Sequence, residues 1–178
     1  MELRGVLPAV RKMKDFEKVI KSEHPLLIVL ETRIDQLSKI VQLAKQHDKL
    51  VFVHADMING LKVDQYGMEY LIHHINIDGI ISTRASVIAL AKQYQIYAIQ
   101  RLFAIDSSAI EKNLELIHKA KPDYIEVLPG IIPSIVSDIA NQIDVPVIAG
   151  GLIKTNEEVQ AALSHGAVAI TTSKAALW

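Results

Sequence analysis

The sequence predicts a single α/β domain in which eight parallel strands alternate with helices. Apolar runs rich in Val and Ile recur roughly every 19 to 28 residues, and their continuous hydrophobicity is typical of parallel strands buried on both faces. The segments between them have helical periodicity, and no Pro/Ser-rich or low-complexity linker divides the 178 residues. Strict alternation implies right-handed crossovers and a parallel sheet, and eight units favour closure into a barrel over a doubly wound open sheet.

The apolar runs assign the strands in order. They are Val6–Val10, Leu26–Leu30, Leu50–Val53, Gly79–Ile81, Tyr97–Ile99, Tyr124–Leu128, Val145–Ala149 and Ala167–Ile170. The helical pattern is clearest at Leu37, Ile40, Val41 and Ala44, at Ile110, Leu114 and Ile117, and at Val159, Ala162 and Leu163. Pro8 has no N–H to donate within a strand, so we expect a bulge or a strand boundary there.

The predicted architecture is a compact (β/α)8 TIM-type barrel over residues 1–178, with short loops and a truncated last helix. The longest loop, Met57 to Gln65, carries the turn signal Asn59-Gly60 and the cation Lys62, and either covers a ligand or only connects two elements. Residues 174–178 are too few to cover the last strand. We expect an open seam there, available to a partner or to self-association, with Trp178 as a packing anchor.

Composition narrows the function classes. The chain has no cysteine, so disulfides and thiolate metal sites are excluded, and its first five residues lack the apolar core of a secretory signal. No apolar stretch approaches the roughly 20 residues of a membrane span. The net charge of −1, with both signs interspersed, provides no basic stripe for a wide nucleic-acid surface. We therefore expect a cytoplasmic protein that does not enter a membrane.

Two segments near the end of the chain predict a phosphate site. Val147 to Thr155 contains Gly150-Gly151, and Ala169 to Ser173 ends in Thr172-Ser173. Each is an apolar strand that stops at small or hydroxyl residues, where backbone N–H groups can approach an anion closely. Thr155 to Glu158 has the pattern of a capping box that fixes the following helix. Taken alone, Gly150-Gly151 is equally well a tight turn, but consecutive barrel strands bring both segments to one place.

Polar residues follow several other strands, at the end of a barrel where ligands bind. Glu31, Asp56, Arg101 and Glu126 are the predicted polar mouth: Arg101 suits a phosphate or carboxylate, and the carboxylates suit hydroxyl groups. Any of them is equally explained by an internal ion pair. His54 and Asp56 are expected to share a strand face as half of a metal site, but no third ligand has a suitable spacing, so no metal is predicted. Glu126 and Asp56 could act as a general acid and a general base, but no predicted strand carries a lysine for a Schiff base. No catalytic residue is assigned.

Longer motifs carry a family resemblance. They are Val10 to Phe16, Asp78 to Arg84, Gln100 to Phe103, Ile125 to Pro133, Ala149 to Ile153 and Thr171 to Ser173. Together they cover essentially the whole chain, which resembles the glycerol-3-phosphate-responsive antiterminators that regulate bacterial glycerol uptake and utilisation operons. The resemblance implies an effector, glycerol 3-phosphate, and no cofactor. It assigns the phosphate loops to Gly150, Gly151, Thr172 and Ser173.

The resemblance also implies action on the leader of a nascent messenger RNA, which residue types alone do not predict. The nearest cations lie toward the N-terminus: Arg4, Arg11, Lys12, Lys14, Lys18 and Lys21. They form either an RNA surface or merely a solvated helix face, and RNA recognition can instead use a few residues that read an unpaired loop, or a homodimer that joins two patches. Two other functions stay open: a barrel enzyme acting on a small phosphorylated polyol or sugar, and a protein-binding module that uses the seam near Trp178.

Overall fold

A computed structural model describes residues 2–178 and contains a closed barrel of eight parallel strands in sequence order. The strands are β1 (Gly5–Val10), β2 (Leu26–Val29), β3 (Leu50–His54), β4 (Gly79–Ser82), β5 (Tyr97–Phe103), β6 (Tyr124–Leu128), β7 (Val147–Gly150) and β8 (Ala167–Thr172). The barrel closes where β1 pairs with β8 on one side and with β2 on the other. The predicted fold class is confirmed.

Helices cover the outside of the barrel over the described residues. They are α1 (Met13–Ile20), α2 (Ile34–Lys45), α3 (Gln65–Glu69), α4 (Ala85–Gln93), α5 (Ser107–Ala120), α6 (Pro133–Ala140) and α7 (Asn156–Ser164). A π-helix over Tyr70–Ile75 continues α3, and β8 is followed only by a 3-10 turn over Ala175–Leu177, the truncated last helix that the sequence predicts. No helix within residues 2–178 has the length and apolar character needed to cross a membrane.

The barrel interior is apolar toward the amino ends of the strands. Its buried members are Leu3, Leu7, Ala9, Leu26, Ile28, Phe52, Ile81, Ile99, Tyr124, Ile148 and Ala169. Leu3 is fully buried at this end, and its N–H donates a hydrogen bond to the hydroxyl of Tyr124 over 3.0 Å. Side chains therefore fill this end of the barrel, where the Tyr124 hydroxyl is bonded to Leu3, and the charged side chains Arg101 and Glu126 lie nearer the carboxyl ends of the strands.

Several local predictions are corrected or refined. Pro8 lies inside β1 with unbroken register, opposite Thr172, so the expected bulge or boundary is wrong. The sheet tolerates proline there because Pro8 is the last β1 residue paired with β8, and pairing with β2 begins at Ala9. In the Met57 to Gln65 loop, Ile58–Asn59 pairs with Thr32–Arg33 as a small parallel sheet. Trp178 packs against the core and donates its indole N–H to the carbonyl of Thr172 over 2.9 Å, as a packing anchor should.

Candidate functional site

A buried polar cluster stands above the apolar interior. Arg101 and Glu126 are paired in register on β5 and β6, so both side chains point into the barrel. Arg101 donates from Nε to Glu126 Oε2 over 2.7 Å, and Thr171 donates from Oγ1 to Glu126 Oε1 over 2.6 Å. Arg101 also donates from Nη2 to His54 Nε2 over 3.0 Å. Glu126 and His54 are almost fully buried, so these bonds replace the water that both groups lose.

The contacts determine the protonation of the cluster. The pKa of His54 is lowered to about 4, chiefly by burial; the charge of Arg101 acts in the same direction, while Glu126 and Asp56 oppose the shift. His54 is therefore neutral near pH 7, with Nε2 as an acceptor from Arg101. Burial acts to raise the pKa of Glu126, but the charges of His54 and Arg101 and the bonds from Arg101 and Thr171 outweigh it and lower the pKa. Because His54 is neutral above about pH 4, Arg101 is the charge that keeps Glu126 ionised.

Gly150 makes room for this cluster. A Cβ at Gly150 would lie 2.5 Å from Thr171 Oγ1 and 2.8 Å from Glu126 Oε1, closer than real Cβ contacts allow. Gly150 is buried and is not part of the lining of the cavity described next. Its small size serves the bond between Thr171 and Glu126, a role that the glycine pattern alone does not reveal.

An open cavity of about 630 Å³ lies over the polar cluster, at the carboxyl ends of the strands. Its lining includes Arg101, Glu126, Gly151, Thr171, Thr172 and Ser173. The charged side chains in the lining are Arg11, Arg101, Lys154 and Lys174 against the single carboxylate of Glu126. We call this cavity the mouth. Its excess of positive charge suits an anion.

Several residues that line the mouth have unused hydrogen-bond donors. Among the described residues, the backbone N–H groups of Gly151, Leu152 and Ser173 have no partner, and Lys154 and Lys174 make no ion pair. Gly151 has a φ of 81°, a left-handed conformation that favours glycine. Its loop can thus present consecutive N–H groups to a ligand.

The helix after this loop supplies less than the sequence suggests. Thr155 and Glu158 form the predicted capping box, in which the Glu158 carboxylate accepts from the N–H groups of Lys154 and Thr155 over 2.6 and 3.1 Å. Because this carboxylate already occupies the start of α7, the free donors are those of the preceding loop. After β8 there is only the short 3-10 turn. Within residues 2–178, the unpaired donors of the mouth therefore belong to its two loops and to Lys154 and Lys174.

Five of the eight predicted site residues line the mouth: Arg101, Glu126, Gly151, Thr172 and Ser173. Within this set, Thr172 is committed to the protein, since its Oγ1 donates to the Ile153 carbonyl over 3.0 Å and accepts from Lys174 N–H over 3.1 Å. Thr172 thus links the loop after β7 to the loop after β8. Ser173 is exposed.

Asp56 and Glu31 lie outside the mouth. Asp56 Oδ2 accepts from Ser82 Oγ and Thr83 N–H, both over 2.9 Å, and Oδ1 lies 3.2 Å from Arg84 Nε. Glu31 lines a separate cavity between α1 and α2 and lies 3.8 Å from Arg11. The expected shared face of His54 and Asp56 is wrong, because β3 ends at His54 and Asp56 belongs to a 3-10 turn.

Sequence reasoning missed Lys154, Lys174 and Arg11 as members of the mouth. The two lysines carry a usable signal: each lies within three residues after a predicted phosphate segment, Gly150-Gly151 or Thr172-Ser173. Arg11 was assigned only to a basic N-terminal face. It directly follows β1, which borders β8 in the closed barrel.

The fold and this site define a class: a small (β/α)8 barrel with an open cationic cavity over the carboxyl ends of its last strands. The chain belongs to the glycerol-3-phosphate responsive antiterminator family, whose model matches residues 6–178.

Three relatives support this membership. The structure of a glycerol uptake operon antiterminator regulatory protein from Listeria monocytogenes is similar at 46% identity and a TM-score of 0.96, over 100% of this chain and 96% of that one. A glycerol uptake operon antiterminator-related protein from Thermotoga maritima is similar at 31% identity and a TM-score of 0.89, over 99% of both chains. The uncharacterized protein YgcP of Escherichia coli K12 is 32% identical over 97% of this chain and 91% of its own length.

Proposed function

We propose that this protein senses glycerol 3-phosphate at the mouth and, when loaded, acts on the leader mRNA of glycerol operons so that transcription passes a terminator. The observation that carries the effector half is the set of unused donors beside Gly151 and Ser173, together with four cations against one carboxylate. Family membership supports glycerol 3-phosphate as the effector and a regulatory role.

In this proposal the phosphate lies between the loops after β7 and β8. The N–H groups of Gly151, Leu152 and Ser173 donate to its oxygens, and Lys154 and Lys174 balance its charge. The glycerol hydroxyls point toward Arg101 and Glu126, because a buried carboxylate keeps lone pairs free after accepting two hydrogen bonds. Glu31 and Asp56 take no part in ligand binding.

Calorimetric titration with glycerol 3-phosphate, glycerol and inorganic phosphate tests the effector site. The intact effector should bind most tightly, and Gly151→Val should abolish its thermal stabilisation of the protein, because a branched side chain at φ 81° is strained and contacts Leu128. Gly5→Val is the matched control: its φ is 69°, and a Cβ there meets no atom within 4 Å. An unchanged thermal shift in Gly151→Val would place the anion elsewhere.

The RNA half has its own test. In a gel-shift assay, leader RNA of a glycerol uptake operon should bind more tightly when glycerol 3-phosphate is present. By linkage, the RNA should then tighten binding of the effector by the same factor. Failure to bind at low salt, with and without effector, would refute it. In parallel, turnover of a sugar-phosphate panel that disappears in Glu126→Gln would favour a barrel enzyme instead.

A further inference from the structure

The cavity between α1 and α2 has the features of a docking groove and is separate from the mouth. It also measures about 630 Å³, within the range of small-ligand pockets of roughly 300–1,000 Å³. Its apolar lining includes Val10, Met13, Phe16, Val29 and Ile40. We call it the α1–α2 groove.

The rim of this groove is positively charged. Arg11, Lys12, Arg33 and Lys39 line it, with Glu31 as the one carboxylate in the lining, and Arg33 is paired with Asp35 over 2.8 Å. Lys12 and Lys39 make no ion pair within residues 2–178, and the contact of Arg11 with Glu31 is long, at 3.8 Å. These cations come from the β1–α1 turn, the small parallel sheet and α2, so they are spread along the groove. A chain of phosphates fits such a spread better than a single anion does.

Neutral polar groups stand beside the apolar floor. Thr32, Gln36 and Asn59 supply amide and hydroxyl groups that can both donate and accept hydrogen bonds. An unpaired nucleotide presents a flat apolar face, hydrogen-bonding edges and a charged backbone, which match the floor, the amides and the cations in turn.

From this match we infer that the α1–α2 groove binds a single-stranded segment of RNA, and that Arg11 links it to the mouth. The inference rests on the proposed function for the identity of the effector. Arg11 lines both cavities. An anion bound in one cavity therefore changes the electrostatic potential in the other and the positions that the Arg11 side chain can adopt there. Glu31 is the one carboxylate in the lining of the groove and repels the RNA backbone.

The test uses the full-length protein and RNA enriched from a random single-stranded pool in the presence of glycerol 3-phosphate. Lys12→Gln and Lys39→Gln should each weaken RNA binding roughly five- to tenfold and reduce the slope of log affinity against log salt by about 0.7. Both should bind glycerol 3-phosphate normally when no RNA is present. Lys112→Gln, an exposed lysine on α5 on the opposite side of the barrel, should change neither quantity.

Three further variants distinguish the α1–α2 groove from the mouth. Glu31→Gln should strengthen RNA binding, since it removes the repulsive charge. Arg11→Gln should weaken the binding of both RNA and effector and reduce the coupling between them. Lys154→Gln, measured without RNA, should weaken effector binding only.

The outcomes are distinguishable. If RNA is enriched but binds Lys12→Gln, Lys39→Gln and Glu31→Gln like the original protein, the groove is not its site, while the proposed function stands. If no RNA is enriched although the effector binds, both the groove and the RNA half of the proposed function fail. If a polyglutamate peptide of equal charge displaces the RNA with equal affinity, the groove is an acidic-protein site and the inference is overturned.

Discussion

The two sides of the barrel end differ in how their charges are used. After β3 and β4, the Asp56 carboxylate is occupied by Ser82, Thr83 and Arg84. After β7 and β8, Lys154 and Lys174 have no ion-pair partner among the described residues, and the adjoining loops keep free N–H groups. A polar residue at a strand end is therefore not by itself a ligand contact. Internal satisfaction indicates a structural role, and its absence indicates capacity for a ligand.

The largest effect should come from the buried cluster that lies between these two sides. Arg101→Met leaves the Glu126 carboxylate buried without its cation, so the free energy of unfolding should fall by about 3–5 kcal/mol. The pKa of Glu126 should rise, because burial is no longer opposed by that charge. Urea denaturation measures the loss. The double variant R101M/E126L should recover part of it, and a loss below about 1 kcal/mol in the single variant would mean that the cluster is not structural.

Acid should weaken the same cluster through His54. The folded-state pKa of about 4 lies below the ordinary value of 6.5, so between these values the unfolded chain binds a proton that the folded chain does not. Stability is therefore lost as the pH falls from 6.5 to about 4, by about 3 kcal/mol at roughly 1.4 kcal/mol per pH unit. His54→Asn should remove this part of the pH profile in chemical denaturation, and the exposed His118→Asn should not. Equal profiles for H54N and the original protein would contradict the assignment.

After β3 and β4, where the carboxylate is already paired, Asp56→Ala should lower the free energy of unfolding by about 2–3 kcal/mol. It removes a charged acceptor that several donors share. Its thermal stabilisation by glycerol 3-phosphate should remain. Asp35→Ala, which removes an exposed pair with Arg33, should change stability by less than about 1 kcal/mol. Loss of the ligand response in D56A would bring Asp56 back into the binding site.

After β7 and β8 we expect the opposite: a small effect on stability and a large effect on ligand binding. Lys154→Gln and Lys174→Gln should each change stability by no more than about 0.5 kcal/mol, since neither side chain has a partner to lose. Each should weaken glycerol 3-phosphate binding about tenfold, or about 1.4 kcal/mol, as measured by calorimetry with Lys112→Gln as the control. If both variants bind normally, the lysines do not contact the phosphate.

The fold was predictable because each barrel strand corresponds to a short apolar run in the sequence. Buried parallel strands need unbroken apolar runs, and Tyr124–Leu128 was assigned with its observed bounds. Strand ends were less visible: β5 continues past Ile99 through Arg101 to Phe103, since a charged residue remains in a strand when a neighbouring strand supplies its partner.

The site was predictable only in part, because many of its contacts join residues that are far apart in the sequence. Short-range patterns predict Gly151 and Ser173, and both line the mouth with backbone N–H groups that are unpaired among the described residues. The bond from Arg101 to His54 joins residues 47 positions apart, and no spacing rule reveals it. Likewise, nothing in the neighbourhood of Asp56 shows that Ser82 will occupy its carboxylate.

Leu3 has a kinetic consequence. With its side chain buried and its N–H bonded to Tyr124, it helps to seal the barrel at the end away from the mouth. Within residues 2–178, a molecule held over Glu126 would enter and leave at the opposite end, where Arg11, Lys154 and Lys174 line the mouth. A macromolecule bound across Arg11 would obstruct this exit and prolong occupancy of the mouth.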